Sequence, residues 1–268
     1  MKRSIILISI SIVFLSCTNL KHLTPFDGYN GKPKIVETLG YTINKDSIKE
    51  LFIYEAFYFD KKGRMVKSIE YENEERKPLR VYINKYDNKG NIVELNYSNH
   101  DGTDSHTVYY SYNRYGQLLK EESRKIVHKY TYDRKNRTAE LKSNFKNGKF
   151  HDRITFKFNK NWQRTELVTY DETGDITLIY KEEYDENGNV IKVSSYDDKE
   201  QLIRFTEILY DKQNKTYESK KYKIDNNDTT LVNISKWHYS YDKYDNVIEE
   251  KVVPDEGIVL ITQNKITY

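Results

Sequence analysis

Residues 184–209 read YDENGNVIKVSSYDDKEQLIRFTEIL, and this stretch decides the fold. It opens on an aromatic residue and an acid, Tyr184-Asp185, and has a glycine, Gly188, at its fifth position. Beyond the glycine, residues of β propensity dominate and partly alternate with polar ones, as is typical of half-buried strands. Because Asn-Gly is a strong signal for a tight hairpin, the stretch predicts two antiparallel strands that turn at residues 187–188.

An aromatic residue followed by Asp or Asn occurs eight times at near-regular intervals. The copies begin at Phe59-Asp60, Tyr86-Asp87, Tyr112-Asn113, Tyr132-Asp133, Phe158-Asn159, Tyr184-Asp185, Tyr210-Asp211 and Tyr241-Asp242. Their spacings are 27, 26, 20, 26, 26, 26 and 31 residues. A period in this range marks a repeat architecture, in which one supersecondary unit stacks on the next.

We number each copy from its aromatic residue as position one. Seven of the eight residues at position five are of the types that best tolerate a positive φ, so we expect that conformation there. Position five is Gly63, Gly90, Gly116, Asn136, Trp162, Gly188, Asn214 and Asp245. Position nine is always charged and is Lys67, Glu94, Lys120, Glu140, Glu166, Lys192, Glu218 and Glu249. A two-residue loop pairs position one with position eight, which is apolar in all copies but that of Thr165, so we expect position eight to pack on the aromatic ring. The same pairing keeps the charges of position nine off the aromatic face. We favour the two-residue loop over a three-residue loop with a glycine bulge, which pairs position one with position seven.

Second turns divide each copy into two strands. They are expected near residues 73–76, 99–102, 124–125, 146–148, 172–174, 197–200 and 225–228. The prediction is an all-β antiparallel meander of about 16 strands in eight hairpins, and the presence of only two alanines, Ala56 and Ala139, agrees with few helices. Open twisted sheets seldom exceed about ten strands, so we expect this one to curl with its aromatic side inward. A shell, a flattened barrel and a superhelical roll all satisfy that expectation.

The N-terminus predicts export. Lys2 and Arg3 precede an apolar stretch at 5–15, which is too short to span a bilayer, and Ser16 and the sole cysteine, Cys17, follow it. Residues 14–17 resemble a bacterial lipobox, and the resemblance implies lipid attachment at Cys17. An ordinary secretory signal is the alternative. We therefore expect a signal peptide at 1–16, a lipid-anchored tether at 17–50 with one early strand around 35–43, and a repeat domain at 51–268.

The pattern YD-x-x-G-N, present at 86–91 and 184–189, resembles the YD repeats of the Rhs family. Hairpins of that family build hollow β shells around secreted toxins, and short lipid-anchored proteins of the Bacteroidetes cell envelope carry a similar repeat. The resemblance covers about residues 50–268 and implies the architecture and an envelope location, with the outer membrane expected. We do not carry over toxin delivery, because no toxin or autoprotease segment follows Tyr268.

No residue pattern predicts catalysis, and we expect neither an enzyme, a cofactor nor a metal site. His100 and His106, with Asp101 and Asp104, could ligate a divalent metal, but we favour a polar hairpin loop. Asp185, Asn187 and Asn189 are better explained by turn chemistry than by a calcium loop.

Charge and aromatic residues define the expected partners. Lys and Arg total 44 against 41 Asp and Glu, which argues against a basic surface for nucleic acid. Trp162 and Trp237 are the candidate ligand contacts, because large flat rings can stack on sugars. Three hypotheses remain: a non-enzymatic envelope lipoprotein that binds protein or glycan through a rigid β surface, a β shell that encloses a small sugar or apolar ligand, and a glycan-directed hydrolase.

Overall fold

The computed structural model describes residues 29–72, 74–226 and 228–268, and every regular element in these ranges is a β-strand. The predicted signal peptide, Cys17 and the first part of the tether lie outside the described residues. The strands are β1 (Ile35–Ile43), β2 (Lys49–Phe59), β3 (Met65–Tyr71), β4 (Pro78–Tyr86), β5 (Ile92–Asn99), β6 (His106–Tyr112), β7 (Leu118–Glu122), β8 (Ile126–Asp133), β9 (Thr138–Phe145), β10 (Phe150–Phe158), β11 (Arg164–Tyr170), β12 (Ile176–Tyr184), β13 (Val190–Tyr196), β14 (Leu202–Tyr210), β15 (Thr216–Asp225), β16 (Asp228–Tyr241), β17 (Val247–Pro254) and β18 (Val259–Thr267).

The sheet is a closed antiparallel meander. Each strand pairs with its neighbours in sequence, and β18 pairs with β1 over nine residue pairs from Ile35–Thr267 to Ile43–Val259. The predicted all-β, curled meander is confirmed, and closure leaves the sheet without a free edge. Strands β2 to β17 are the eight predicted hairpins, and the strand expected around 35–43 is β1.

Strands β18 and β1 come from opposite ends of the described chain but pair like the two strands of a hairpin. We call this pair the ninth hairpin. Tyr268 follows Tyr241 at a spacing of 27 residues and occupies position one of this hairpin. Thr267 pairs with Ile35 in the same register that the residues flanking the other turns adopt, and Gly31 has a positive φ of 75°. Strand β18 was not predicted, although Tyr268 follows Tyr241 at nearly the period of the repeat.

The turns correct the predicted pairing next to position one. In seven copies position one pairs with position seven, as in Tyr184 with Val190, and the loop is the three-residue type with a glycine bulge that we had disfavoured. The amide of Asp185 donates to the carbonyl of Asn189, and the amide of Gly188 donates to the carbonyl of Asp185. A second bulge then takes up position eight, so Glu183 pairs with Lys192 as the two-residue loop also required.

The two bulges compensate each other. The predicted assignment of side chains to the two faces is therefore correct, although the predicted loop type is wrong. The charged position nine still lies opposite the residue before position one, away from the aromatic side chains. Position eight was expected to pack on the aromatic ring, but the bulge exposes Leu119, Ile191 and Tyr217. The predicted pairing of positions one and eight holds only in the fourth copy, where Tyr132 pairs with Ala139.

The acid or amide at position two holds the turn. Oδ1 of Asp87 accepts the backbone amides of Lys89 and Asn91 at 2.9 Å each, and Asp211 accepts those of Gln213 and Lys215 at 2.8 and 2.9 Å. Such side chains satisfy turn amides that no strand partner reaches. This accounts for Asp or Asn after every aromatic residue in the repeat.

The face that carries the position-one aromatics is the inner face. On this face the guanidinium of Arg204 in β14 lies 3.4 Å from the hydroxyl of Tyr180 in β12, across the intervening strand β13. Phe156 and Phe158 are buried on this face, whereas the outward Tyr109 is 55% exposed. Phe156 and Phe158 agree with the expectation that ringed side chains face inward, whereas Tyr109 and Tyr170 lie on the outer wall.

Tyrosine hydroxyls join consecutive copies. In five copies the position-one hydroxyl donates to the position-seven carbonyl of the preceding copy. These bonds are Tyr86 to Met65 at 2.7 Å, Tyr112 to Ile92 at 2.8 Å, Tyr132 to Leu118 at 2.9 Å, Tyr184 to Arg164 at 2.6 Å and Tyr210 to Val190 at 2.9 Å. Each bond adds a fixed contact between neighbouring hairpins beside their turns.

The Tyr210→Phe variant tests this contact. We expect it to lower the free energy of unfolding by about 1–2 kcal/mol, because the carbonyl of Val190 loses its part-buried donor. Urea denaturation would measure the loss. Tyr109→Phe is the control, since its ring lies on the outer face, and its effect should stay within about 0.5 kcal/mol. Equal effects in both variants would contradict a structural role for the hydrogen bonds between the position-one hydroxyls and the position-seven carbonyls.

Candidate functional site

Three neighbouring turns carry a chain of alternating cations and aromatic rings. We call Arg114, Tyr115, Arg134 and Trp162 the turn-tip cluster; they belong to the β6–β7, β8–β9 and β10–β11 turns. The guanidinium carbons of Arg114 and Arg134 lie 4.7 and 4.8 Å from the centre of the Tyr115 ring. Arg134 also lies 5.9 Å from the Trp162 ring, so it bridges the two aromatics.

Trp162 occupies position five, where every other copy of the repeat has Gly, Asn or Asp. It has a positive φ of 62°, a conformation that is unfavourable for a bulky side chain and that Gly63, Gly90, Gly116 and Gly188 occupy in other copies. Its ring lies 5.9 Å from that of Phe158, at the edge of the core formed by Ala139, Phe156 and Phe158. A glycine would satisfy the backbone, so the tryptophan supplies something the turn itself does not need.

The fourth copy departs from the other turns. Position five, Asn136, was expected at a positive φ, but Arg137 takes that conformation instead, with φ 53°. Asp133 pairs with Thr138, which gives a four-residue loop. The longer loop carries Arg134 at its start, between Tyr115 and Trp162.

Tyr115 is the open member of the turn-tip cluster. Its side chain is 52% exposed although two guanidinium groups lie against it, and Nη2 of Arg114 donates to its hydroxyl at 2.5 Å. An exposed ring held by flanking cations offers a flat apolar surface with hydrogen-bond donors at its rim. A depression of about 450 Å³ is lined by β8, β9 and β10 through residues such as Thr131, Glu140 and Thr155, and no member of the turn-tip cluster lines it.

Trp237 lies in another sector of the molecule. It is on the inner face of β16, two residues before Tyr239, and Glu250 of β17 lies directly opposite Tyr239 on the same face. Burial raises the pKa of Glu250, and Lys215 and Trp237 oppose this shift. The structure therefore does not bring Trp162 and Trp237 together, and they cannot contribute to one site.

The inner face contains carboxylates that the sequence analysis did not identify. Glu182 forms an ion pair with Arg164, and both side chains are largely buried. The hydroxyl of Tyr184 donates to Glu182 at 2.7 Å, which closes a small network beside the turn. Position ten of the repeat lies on the same face as the aromatic residues, and it is an acid in Glu121 and Glu250. These two inner carboxylates could therefore have been predicted from the repeat.

A serine, a histidine and two acids occupy adjacent inner positions on β7 to β10. His128 pairs with Glu121 and Ser143 across the strands, and Asp152 pairs with Ser143. Nδ1 of His128 lies 2.6 Å from Oγ of Ser143. Ser143 is only 1% exposed, however, and a nucleophile needs access to its substrate. The geometry therefore gives no support to the hydrolase hypothesis at this position.

The loop with His100 and His106 has the contacts of a polar hairpin. Nε2 of His106 lies 2.8 Å from Oδ1 of Asp104, and its ring packs on Tyr97 at 5.1 Å. Asp101 accepts the amide of Thr103 at 2.9 Å. In the described ranges no group of three or more His, Cys, Asp or Glu side chains could hold a metal ion. The same residues include no helix long and apolar enough to cross a membrane.

Comparisons with known proteins assign neither a family nor a function. No family model and no curated protein matches the chain. A porin-like protein from Bacteroides uniformis is similar over 89% of this chain and 99% of its own, at 8% identity and a TM-score of 0.36. The complex TcdB2-TccC3-Cdc42 is similar over 84% of this chain and 14% of its own, at 12% identity and a TM-score of 0.30. A LolA superfamily protein from Nitrosomonas europaea is similar over 86% of this chain and 83% of its own, at 7% identity and a TM-score of 0.28. Likenesses this weak carry no argument.

The inner pair Glu55 and Glu70 predicts a pH-dependent stability. The two carboxylates lie directly opposite each other on β2 and β3, and burial, reinforced by the charge of Glu70, raises the pKa of Glu55. A raised carboxyl pKa means that the folded state binds the proton more tightly than the unfolded chain. The loss of folding stability caused by the charged Glu55 is therefore fully present above the pKa of Glu55 in the folded state. It disappears as the pH falls below the pKa of this carboxyl in the unfolded chain.

Glu55→Gln should raise the free energy of unfolding at pH 7 by about 1 kcal/mol, because it removes the like-charge pair. The gain should vanish near pH 3, where the wild-type carboxyl is protonated. Glu183→Gln is the control, since Glu183 lies opposite Lys192 on the outer face, and it should give no gain. Denaturation curves at both pH values would measure this. A Glu55→Gln protein less stable than wild type at pH 7 would contradict the prediction.

Proposed function

We propose that this chain is a non-enzymatic, lipid-anchored protein of the cell envelope that binds glycan through the turn-tip cluster. The closed sheet holds the cluster on three adjacent hairpins, each fixed by an Asp or Asn side chain at its turn. A site on such a scaffold is rigid before the ligand arrives, which reduces the entropy lost on binding. The outer membrane, reached through Cys17, is the proposed location.

The observation that carries the proposal is the exposed Tyr115 ring between two guanidinium groups, next to a tryptophan held at a positive φ. Trp162 also packs against the core beside Phe158, but the exposed Tyr115 ring does not. Aromatic rings stack on the apolar faces of sugars, and the donors of Arg114 and Arg134 can bind ring and hydroxyl oxygens beside them. Protein partners also bind through aromatic and arginine anchors, so a protein that carries a glycan fits the same surface.

The experiment compares envelope glycans retained by the purified protein and by its turn-tip variants. Trp162→Ala and Tyr115→Ala should each weaken binding on the order of tenfold or more, as loss of a stacking anchor does. Tyr244→Ala is a matched control, because Tyr244 occupies position four like Tyr115 but packs on Tyr268 at 4.5 Å. Retention of full affinity by both turn-tip variants would overturn the site.

The proposed anchor is tested in the same preparation. The wild-type chain should fractionate with membranes and incorporate labelled fatty acid, and Cys17→Ala should do neither. Capture of a partner by both forms would separate binding from anchoring. A wild-type protein that is exported without lipid would instead support the ordinary secretory signal.

The inner face favours a second candidate, a ligand enclosed by the sheet. Trp237, Tyr239 and Glu250 combine flat rings with a hydrogen-bonding carboxylate on one inner patch, as small-molecule sites do. Native mass spectrometry of the purified protein would detect a retained small molecule, and Trp237→Ala should release it. A protein that carries no mass beyond its own chain and lipid would exclude this candidate.

A further inference from the structure

Where charged residues lie directly opposite each other on the outer wall, they normally have opposite signs. Across β12 to β15 the row runs Glu183, Lys192, Glu207 and Lys220, and each residue lies directly opposite the next. Lys157, Glu166 and Lys181 alternate in the same way on β10 to β12. Opposite charges in such cross-strand pairs stabilise the sheet.

Strands β7 to β10 break this rule. Their outer row is Lys120, Lys129, Lys142 and Arg153, and register places each cation directly opposite the next. We call these four residues the cation row. Successive members lie about one strand spacing apart, on the order of 5 Å. Like charges in directly opposed positions destabilise a sheet, so the row has a cost that its neighbours avoid.

The flanking acids compensate only part of the cation row. Glu140 pairs with Lys142 at 2.9 Å and with Arg153 at 2.7 Å, and Glu122 pairs with Lys120 at 2.5 Å. Lys129 is exposed at the centre of the row and forms no ion pair with any described residue. The four cations face two acids, which leaves a positive strip on the wall.

The strip lies in the most basic sector of the chain. Residues 113–164 contain 15 Lys and Arg against 5 Asp and Glu, a net charge of +10. Residues 165–256 contain 12 against 22, a net charge of −10. Because sequential strands are neighbours in the closed sheet, these two stretches are separate sectors of one wall. The near-zero net charge of the whole chain conceals this asymmetry.

We propose that the cation row binds a linear acidic polysaccharide that crosses strands β7 to β10. This deepens the proposed glycan-binding function and rests on it, and the turn-tip cluster lies in the same basic sector. A single file of cations fits a polymer with a charge on successive sugar units. Aromatic rings accompany the row: Arg153 lies 4.5 Å from the Tyr170 ring, and the exposed Tyr109 is opposite Glu122.

A polysaccharide fits better than the other polyanions. Glu122 and Glu140 lie against the row, and they would repel the dense phosphate charge of a nucleic acid more strongly than the sparser charge of a uronic acid polymer. A bilayer is flat, whereas the row follows the curved wall of a closed sheet. The aromatic rings beside the cations, of which Tyr109 is exposed and Tyr170 half-buried, supply the stacking contacts that sugars use and lipid headgroups do not.

The test uses polygalacturonate and its neutral methyl ester as probes, with the exported chain. The variant Lys129→Gln/Lys142→Gln removes two members of the cation row. The control Lys192→Gln/Lys220→Gln removes the same charge from the alternating row. We expect the first variant to weaken polygalacturonate binding about tenfold at low salt and to reduce its salt dependence, and the control to change affinity less than twofold. The wild-type protein should prefer the acid to its ester.

Other outcomes would overturn the inference. Equal losses in both variants would assign binding to net charge rather than to the row. Tighter binding to single-stranded DNA or to phosphatidylglycerol vesicles than to polygalacturonate would identify a different polyanion. Failure to bind any acidic polysaccharide, with Trp162-dependent binding of a neutral envelope glycan intact, would reject the cation row and leave the proposed function standing. Loss of both kinds of binding would reject the proposed function as well.

Stability separates this role from a structural one. Lys129→Gln should keep or raise the melting temperature, because it removes repulsion from the centre of the row. A lower melting temperature together with weaker polysaccharide binding would identify Lys129 as a structural residue and contradict the proposal.

Discussion

The structure depends on the bulged turn that the aromatic-acid pair initiates. The side chain at position two accepts the amides of the turn, the bulge at position eight lets position one pair with position seven, and the next tyrosine hydroxyl bonds the position-seven carbonyl. One short motif thus sets the loop, the register and the contact with the following hairpin. Copies that share it stack in one orientation, which places their aromatic side chains on one wall.

Closure follows from this regular stacking. A sheet of sixteen strands has two open edges, and the ninth hairpin made by β18 and β1 covers both with standard antiparallel pairing. Asn246 binds the chain near β1 as well, because its Oδ1 accepts the amide of Asn30 at 2.7 Å. The charged outer face meets solvent, and the inner face buries rings together with a few paired acids.

Much of this fold could be predicted, since the signals were local. The period of 26 residues, the turns and the strand at 35–43 all follow from residues close together in the sequence. The turn type could not be settled, because two compensating bulges and a two-residue loop give the same distant register. Asn136 was expected at a positive φ, and Arg137 took it because the fourth loop has four residues.

The site was less predictable, because its parts come from different copies. Trp162 stands out in the sequence as an unusual turn residue, but Tyr115 and Arg134 become its neighbours only when three hairpins stand side by side. Trp237 was grouped with Trp162 on residue type alone, and the closed sheet separates them. The cation row escaped notice for a related reason: four residues spread over 34 positions of sequence become one line only through strand register.

Most departures from the repeat are concentrated in one sector, although the long interval of 31 residues between Tyr210 and Tyr241 lies outside it. The third copy is shortened to 20 residues, the fourth turn has no bulge, the fifth places a tryptophan at a positive φ, and the outer row between them carries one sign of charge. Each departure costs stability or regularity, and the remaining copies show that the fold does not need it. Repeat proteins use the regular units as scaffold, so a cluster of costly exceptions on adjacent strands is where selection for binding acts most directly.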